Sequence, residues 1–318
     1  MASPLPLLTP DDLAASGLSA RRIGMQVGSG ELVRVRPGVY TAGAPWRQAK
    51  PEQRVVSRAH ALHRISASAP VFSHETAAAI HGIGLYHPDP SRVHVIVADA
   101  RPGAASGVIR HRGELADEDV IQIRGLRCTS LARTVADVAR TGTLEQAVTV
   151  ADAALRALCV PERARYDVDA AAQFRARALQ IARRSAHGLT RATRVLAFAD
   201  GRAERPGESL SRIRLHTLGF RRILLQVPVP GPRGWDYYVD FGLEDCAKWG
   251  EFDGAMKYVD GRLTDGRTTA EIFDREKQRE DWIRGTTGRG LVRWGWPHLD
   301  SAAQLGRRLA AFGIHPPA

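Results

Sequence analysis

The first 64 residues place apolar side chains at helical spacing, with stop signals between the segments. A capping residue, a proline and two acids predict a short helix over residues 10–16, and Ser19 is the N-cap of a second helix. The run LVRVRPGVYTAG then alternates with period 2 on either side of Pro37-Gly38, which predicts a β-hairpin. Two short helices followed by a hairpin are the outline of a winged helix-turn-helix, which we expect over residues 1–64.

The middle of the chain mixes both periods. A helix over residues 51–65 leads to β-type runs at PVF, RVHVIV, GVIRHRG and DVIQIRGLRC, with a helix starting around Ser73. Helical spacing then predicts four further segments, at 130–140, 144–158, about 170–185 and 190–198. Residues 65–200 are therefore predicted to form an α+β middle domain with a helical tail.

A stretch rich in Gly, Arg and Pro, GRAERPGE at 201–208, marks the start of a third predicted domain over residues 201–318. The pattern after it predicts a helix at 207–218, strands at 222–229, 235–243 and 247–254, a charged helix at 269–285, the strand GLVRWGW and a final helix from His298. The order is α-β-β-β-α-β-α. The whole chain is thus expected to be a multidomain α+β protein.

Charge adds a candidate partner to this outline. The chain carries a formal net charge of +11, and residues 1–64 hold nine Lys/Arg against four Asp/Glu, a local excess of +5. Clustered positive charge attracts phosphates whatever the sequence, so DNA is the expected partner. Three cysteines far apart favour a reducing, cytoplasmic location, and no run approaches the ~18 apolar residues of a membrane span.

Three acids of the third domain fall where they can meet. Asp240 lies near the end of one predicted strand and Glu251 near the end of the next, and pairing as a hairpin brings them together. Glu208, in the first turn of the preceding helix, can lean over the same end. Because clustered carboxylates repel unless a cation binds them, and because hard oxygen ligands suit Mg²⁺ or Mn²⁺, these acids form a candidate metal site.

The stretches GESLSRIRLHTLGF, LLQVPV, YYVDF, WGEFDGAMKY and EKQREDWIRGTTGRGLVRWGW resemble the PD-(D/E)XK nuclease superfamily, in particular the family related to very-short-patch repair endonucleases. The resemblance spans residues 204 to about 312 and implies a restriction-endonuclease-like α-β-β-β-α-β fold. It assigns catalytic roles to Glu208, Asp240 and Glu251, and site support to Gln226. It also implies metal-assisted hydrolysis of DNA.

One position departs from that superfamily. Its lysine would fall at 253, where this chain has Asp253, and a carboxylate cannot supply the positive charge that the reaction uses. Three alternatives follow: Lys257 substitutes as a catalytic residue, Asp253 joins Asp240 and Glu251 as a metal ligand, or the site is inactive.

The N-terminal stretch LTPDDLAASGLSARRIGMQVGSGELVRVRPGVYTAG resembles the winged helix of AbiEi-type antitoxins of bacterial toxin–antitoxin systems. FSHETAAAIHGIGL, RVHVIV and LRCTSLARTVADVAR resemble the middle region of actinobacterial proteins of this architecture. The resemblance implies that the second helix enters the major groove and that the wing meets phosphates. It places Arg21, Arg22 and Gln26 near the bases, and Arg34 and Arg36 on the backbone.

The middle region also carries many histidines, which we interpret as structural or surface residues because no metal-ligand spacing connects them: His60, His63, His74, His81, His87, His94 and His111. The first functional hypothesis is then a DNA-binding protein whose third domain is a Mg²⁺-dependent endonuclease. The alternative is a non-catalytic AbiEi-like antitoxin or repressor, with a cognate toxin as a second partner. A third hypothesis is a defence effector that senses with the winged helix and cuts with the third domain.

Overall fold

The computed structural model describes residues 3–97, 103–105, 107–160, 165–254 and 269–317. Its helices are α1 Pro10–Ala15, α2 Ala20–Ser29, α3 Gly43–Gln48, α4 Pro51–Ile65, α5 His74–His81, α6 Leu131–Thr141, α7 Leu144–Cys159, α8 Val168–Ala182, α9 Leu189–Phe198, α10 Pro206–Leu218, α11 Thr269–Thr287 and α12 Ala302–Ala310. Its strands are β1 Leu32–Arg36, β2 Val39–Ala42, β3 Val71–Phe72, β4 Val93–Val97, β5 Gly103–Ala105, β6 Val108–Arg112, β7 Val120–Ile123, β8 Leu126–Thr129, β9 Ile223–Pro230, β10 Asp236–Leu243, β11 Lys248–Phe252 and β12 Leu291–Trp294. None of these helices is both long enough and apolar enough to cross a membrane.

The chain divides into two compact units, and the mixture of helices and sheets in it confirms the α+β class. Unit 1 comprises residues 1–154 and 169–199, and unit 2 comprises residues 155–168 and 200–318. The predicted limit at 201 falls one residue after unit 2 resumes, whereas the predicted limit at 64–65 falls inside unit 1.

The first elements of unit 1 form as their capping residues predict. The Asp12 amide donates to the Thr9 hydroxyl and the Asp12 carboxylate accepts from the Thr9 amide, at 3.1 and 2.7 Å, so α1 begins with a capping box. Helix α2 ends at Gly30, whose φ of 78° is the left-handed conformation that glycine adopts without strain. Leu13, Ile23 and Leu32 are buried together between α1, α2 and the β1–β2 hairpin.

The sheet of unit 1 has the strand order β5-β6-β4-β3-β8-β7. Strand β4 pairs in parallel with β6, and β3 pairs in parallel with β8. The run DVIQIRGLRC was expected as one β-type segment, but it forms the antiparallel hairpin β7–β8. The two residues between these strands, Arg124 and Gly125, both have positive φ, 48° and 79°, as a tight hairpin turn requires.

The sheet of unit 2 has the order β12-β11-β10-β9, with β9, β10 and β11 antiparallel and β12 parallel to β11. Val229, Val239, Trp249 and Ile283 form a buried cluster on this sheet. The predicted succession of helices and strands is confirmed, except that the last helix begins at Ala302 and not at His298. The reason is that Ser301 caps it by accepting from the Gln304 amide, after a 3-10 turn at Trp296–His298.

Candidate functional sites

The first candidate surface lies on α2 and the β1–β2 hairpin of unit 1. Arg21 and Arg22 are exposed in the first turn of α2, and Gln26 is half-buried one turn later. Arg34 is exposed on β1. These four side chains are therefore accessible to solvent or to a ligand that replaces it.

Arg36 does not share that exposed face, contrary to the sequence expectation. It is buried, and its Nη2 donates to the Gly107 carbonyl at 3.1 Å. Residues two apart on a strand normally face the same side, but the pairing of β1 with β2 shifts register between Arg34 and Arg36. This irregularity turns Arg36 inward, where burial is the main cause that lowers its pKa.

The second candidate site lies in unit 2, where one amide joins two acids. Nε2 of Gln226 on β9 donates to Oε2 of Glu208 on α10 at 3.2 Å and to Oδ1 of Asp240 on β10 at 3.3 Å. The other oxygen of Asp240 accepts from the Phe252 amide at 2.9 Å. Three residues from three elements thus converge, and backbone amides help to fix the acids.

The backbone at Gln226 is in an uncommon conformation. Its φ is 48°, in the left-handed region that side-chain-bearing residues rarely occupy. The register of β9 with β10 pairs Val227 with Val239 and Leu225 with Phe241, and it omits the pair of Gln226 with Asp240 between them. Within the described residues, the buried Oε1 of Gln226 has no hydrogen-bond partner. Strain and an unpartnered polar atom at one residue are features that accumulate at functional sites.

Glu208 differs electrostatically from its neighbour. It is 4% exposed, and burial, with a further contribution from the charge of Asp240, raises its pKa to about 8. Burial therefore favours the protonated form of Glu208 at neutral pH. Two carboxyl groups and an amide oxygen are donors that fit a hard cation such as Mg²⁺.

Glu251 forms ion pairs with two arginines. The guanidinium of Arg279 lies 2.7 Å from its Oε1, and that of Arg293 lies 3.0 Å from its Oε2. Arg293 on β12 is the register partner of Glu251 on β11, so the parallel pairing of the two strands creates this contact. Two cations neutralise a carboxylate that the sequence assigned to a metal.

The predicted ligand set of Asp240, Glu251 and Asp253 is not gathered. Among the described residues, the group of three acidic, histidine or cysteine side chains whose ligand atoms lie within 4.8 Å of one another is made of histidines. Asp253 is half-buried, and its amide donates to the Trp294 carbonyl at 2.8 Å. The predicted catalytic Lys257 lies outside the described residues.

The histidine group, which we call the histidine cluster, consists of His74, His94 and His111 in unit 1. From the sequence these histidines were expected to be structural or surface residues. His94 on β4 and His111 on β6 share a sheet face only because the two strands pair in parallel, with Ile96 opposite His111. Such pairing across a crossover leaves no local spacing signal, so the sequence offered no way to find the cluster.

Comparison with known proteins identifies the N-terminal segment. Residues 5–42 match the family model described as a transcriptional regulator, AbiEi antitoxin. The match covers α1, α2, β1 and β2, which is the segment whose sequence resembles AbiEi-type antitoxins, and it confirms that resemblance. The resemblance of residues 204–312 to nucleases stays a prediction.

Two relatives cover most of the chain. They are the uncharacterized proteins MT2308 and Rv2248 of two Mycobacterium tuberculosis strains, and each is 29% identical over 237 residues, 74% of this chain and 79% of the relative. The crystal structure of the RV2827C protein from Mycobacterium tuberculosis is similar over 61% of this chain and 76% of that chain, with 17% identity and a TM-score of 0.34. A likeness at that level carries no argument about function.

Proposed function

We propose that the protein is a DNA-binding transcriptional regulator of the AbiEi antitoxin type, a repressor that acts with a cognate toxin. The observation that carries this proposal is the match of residues 5–42 to the AbiEi antitoxin regulator model. The two helices and the hairpin of that segment also present exposed arginines on one helix and one strand. Regulation, with DNA and a toxin as partners, is the simplest use of such a segment.

In this proposal α2 is the recognition helix of a winged helix-turn-helix. Arg21 and Arg22, exposed in its first turn, reach guanine edges or phosphates, and Gln26 one turn later reaches an adenine edge. Arg34 on the wing contacts the phosphate backbone, whereas the buried Arg36 supports the wing from within. The excess of positive charge over residues 1–64 makes the affinity fall steeply with salt, because bound cations displace counterions from DNA.

The test is fluorescence anisotropy with a duplex from the protein's own promoter, measured from low to high salt. The double variant Arg21→Ala, Arg22→Ala is expected to weaken binding at least tenfold, since each base contact of this kind is worth roughly 1–3 kcal/mol. Arg194→Ala is the matched control, because Arg194 is exposed on α9 of the same unit, outside the segment that matches the antitoxin model. Equal affinity of the double variant and the control would contradict the proposal.

A second candidate function is Mg²⁺-dependent hydrolysis of DNA phosphodiesters by unit 2, as its sequence resemblance implies. The convergence of Glu208 and Asp240 on the strained Gln226 favours it. Asp240 and Glu208 would hold the ion, which when bound neutralises phosphate charge and orients a water. Gln226 would hold the two carboxyl groups close together. Lys257 stays the predicted source of positive charge. The ion pairs of Glu251 with Arg279 and Arg293 count against a third carboxylate ligand.

Plasmid and short duplexes incubated with Mg²⁺, Mn²⁺ or EDTA distinguish the two functions. A nuclease is expected to cut only with metal, and Asp240→Asn should abolish cutting while DNA binding persists. Asp236→Asn, which changes an exposed acid on the same strand, should cut normally. Absence of metal-dependent cutting by the unmodified protein would leave regulation as the function.

A further inference from the structure

The histidine cluster is a compact arrangement of potential metal ligands in unit 1. One ring nitrogen from each of His74, His94 and His111 lies within 4.8 Å of the other two. Nδ1 of His94 is 2.9 Å from Nε2 of His111, and the ring of His74 stacks on that of His111 with centroids 3.6 Å apart. Their side chains come from α5, β4 and β6, so the fold and not a local motif assembles them.

Polar groups lie beside two of the rings, outside the cluster. Nδ1 of His74 lies 3.0 Å from the hydroxyl of Ser73, which is fully buried. Nε2 of His94 lies 4.0 Å from a carboxylate oxygen of Glu75, while its other nitrogen faces His111. Metal-binding histidines commonly have their second ring nitrogen oriented by a hydroxyl, a carboxylate or a carbonyl. The Ser73 hydroxyl is such a support for His74, whereas the Glu75 carboxylate lies beyond hydrogen-bond distance of His94.

The surroundings keep all three imidazoles neutral at physiological pH. Burial, with the other two rings as further causes, lowers the pKa of His74 well below its ordinary value. Burial lowers the pKa of both His94 and His111 to about 4. Since a neutral imidazole is the form that binds metals, no proton has to be displaced before a cation can enter.

The cluster also opens on a cavity. His74 and His111 line a space of about 920 Å³ within unit 1, together with five arginines. Those arginines are Arg110, Arg112, Arg133, Arg140 and Arg184. Asp137 and Glu114 also line the cavity, and buried Asp119 accepts from Arg133 and Arg184. Five arginines against these three acids leave a positive excess. A ligand that enters from this side is therefore expected to be anionic.

We propose that His74, His94 and His111 bind one divalent transition metal ion, with Zn²⁺ as the probe, and leave its fourth coordination position open to the arginine-lined cavity. Three histidines with an open position are a known ligand set for zinc. An anionic fourth ligand, such as hydroxide or a small oxyanion, balances the positive charge of the cavity wall.

Binding requires a defined movement of the rings. Tetrahedral coordination at the usual Zn–N length places ligand nitrogens about 3.3 Å apart. The His94–His111 contact of 2.9 Å therefore has to lengthen slightly, and the stacked rings of His74 and His111 have to separate. His74 is the first residue of α5 and has a left-handed backbone, with a φ of 50°. A movement of its ring therefore disturbs only the first turn of that helix.

The test uses the full-length chain treated with a chelator, then titrated with Zn²⁺ by calorimetry and with Co²⁺ by visible absorption. Asp240→Asn serves as the background, because it removes one acid of the candidate site in unit 2. One ion per chain and the intense visible bands of tetrahedral Co²⁺ are expected. Addition of azide, a small anion, should shift those bands, and a spectrum that azide does not change would overturn the open fourth position.

His94→Gln and His111→Gln should each weaken Zn²⁺ binding at least 100-fold, whereas His187→Gln, at a cavity-lining residue outside the cluster, should leave it unchanged. The measurement on the unmodified cluster decides the matter even where a variant folds poorly. Absence of stoichiometric Zn²⁺ binding, or equal binding by the His111→Gln and His187→Gln proteins, would overturn the proposal.

Discussion

The acids of unit 2 and the histidines of unit 1 solve one physical problem in opposite ways. Burial disfavours charge in both places, so Glu208 stays neutral by keeping a proton, with its pKa raised to about 8. His94 and His111 stay neutral by losing a proton, with the pKa of each lowered to about 4. The same desolvation therefore gives Glu208 and these histidines opposite responses to pH, and it leaves the histidines able to bind a cation without releasing a proton.

Glu251 shows a third solution, because Arg279 and Arg293 form ion pairs with it. The difference between Glu208 and Glu251 separates neutralisation by a proton from neutralisation by a partner, within unit 2. Removing one of these arginines should therefore be the most damaging change, since a buried carboxylate that loses part of its compensating charge is strongly unfavourable.

Arg293→Ala is expected to lower the free energy of unfolding of unit 2 by about 3 kcal/mol, the lower end of the effect of breaking a buried ion pair, because Arg279 still contacts Glu251. Tryptophan fluorescence in urea measures this, since five of the six tryptophans, at 235, 249, 282, 294 and 296, lie in unit 2. Adding Glu251→Gln should recover much of the loss. Arg284→Ala, which removes the pair of exposed Arg284 with half-buried Glu280, should cost less than about 1 kcal/mol. Equal losses in the two arginine variants would refute a compensated Glu251.

The stability of unit 2 is expected to decrease as pH rises. Because the pKa of Glu208 is raised from 4.5 to about 8 on folding, the folded chain holds an extra proton between those pH values. Stability should therefore fall as pH rises through this window, by on the order of 3 kcal/mol. Glu208→Gln should flatten the curve and stabilise unit 2 at pH 8, whereas Asp236→Asn should leave its shape unchanged. Urea unfolding followed by fluorescence at several pH values measures this, and a rising curve would contradict it.

The histidine cluster of unit 1 should respond in the opposite direction. The folded pKa of His94 and of His111, about 4, lies below the ordinary 6.5, so the unfolded chain holds more protons between these values. The histidine contribution to stability should therefore rise as pH increases from about 4 to 6.5, by roughly 2 kcal/mol once partial solvent access and coupling are allowed for. Glu75, whose pKa is raised to about 7 by burial, contributes in the opposite direction, so the comparison with the double variant isolates the histidines. Pulse proteolysis in urea, read from fragments of unit 1, measures this change. The double variant His94→Gln, His111→Gln should lose it, and His187→Gln should keep it.

The elements of the fold could be predicted from the sequence more fully than the contacts between them. Periodicity, caps and turn residues predicted most helices and strands, because those signals are local. The start of a helix and the ends of a hairpin predicted that Glu208 and Asp240 lie close together. In the structure both carboxyl groups accept a hydrogen bond from the Gln226 amide. The strained backbone of Gln226 has no signature in its residue type.

Pairing between distant strands accounts for what the sequence did not reveal. Arg293 meets Glu251 through the parallel pairing of β12 with β11, which is set only after the intervening helix α11 returns the chain to the sheet. The parallel pairing of β4 with β6 likewise brings His94 and His111 together. Arg36 was misassigned because the register shift on β1 breaks the alternation that a sequence assumes. Local patterns fix elements, whereas long-range register fixes which side chains meet.

The smallest expected effect concerns the support of the histidines. Ser73→Ala removes the hydroxyl 3.0 Å from Nδ1 of His74 and leaves that buried nitrogen without this partner, which should cost unit 1 about 1 kcal/mol. Pulse proteolysis measures the cost, and Ser16→Ala, at an exposed helix end, should show almost none. If the cluster holds Zn²⁺, the same change should weaken its binding about tenfold, because the ring is no longer oriented. A loss of stability without a loss of Zn²⁺ affinity would show that Ser73 contributes to packing and does not orient His74 for a metal.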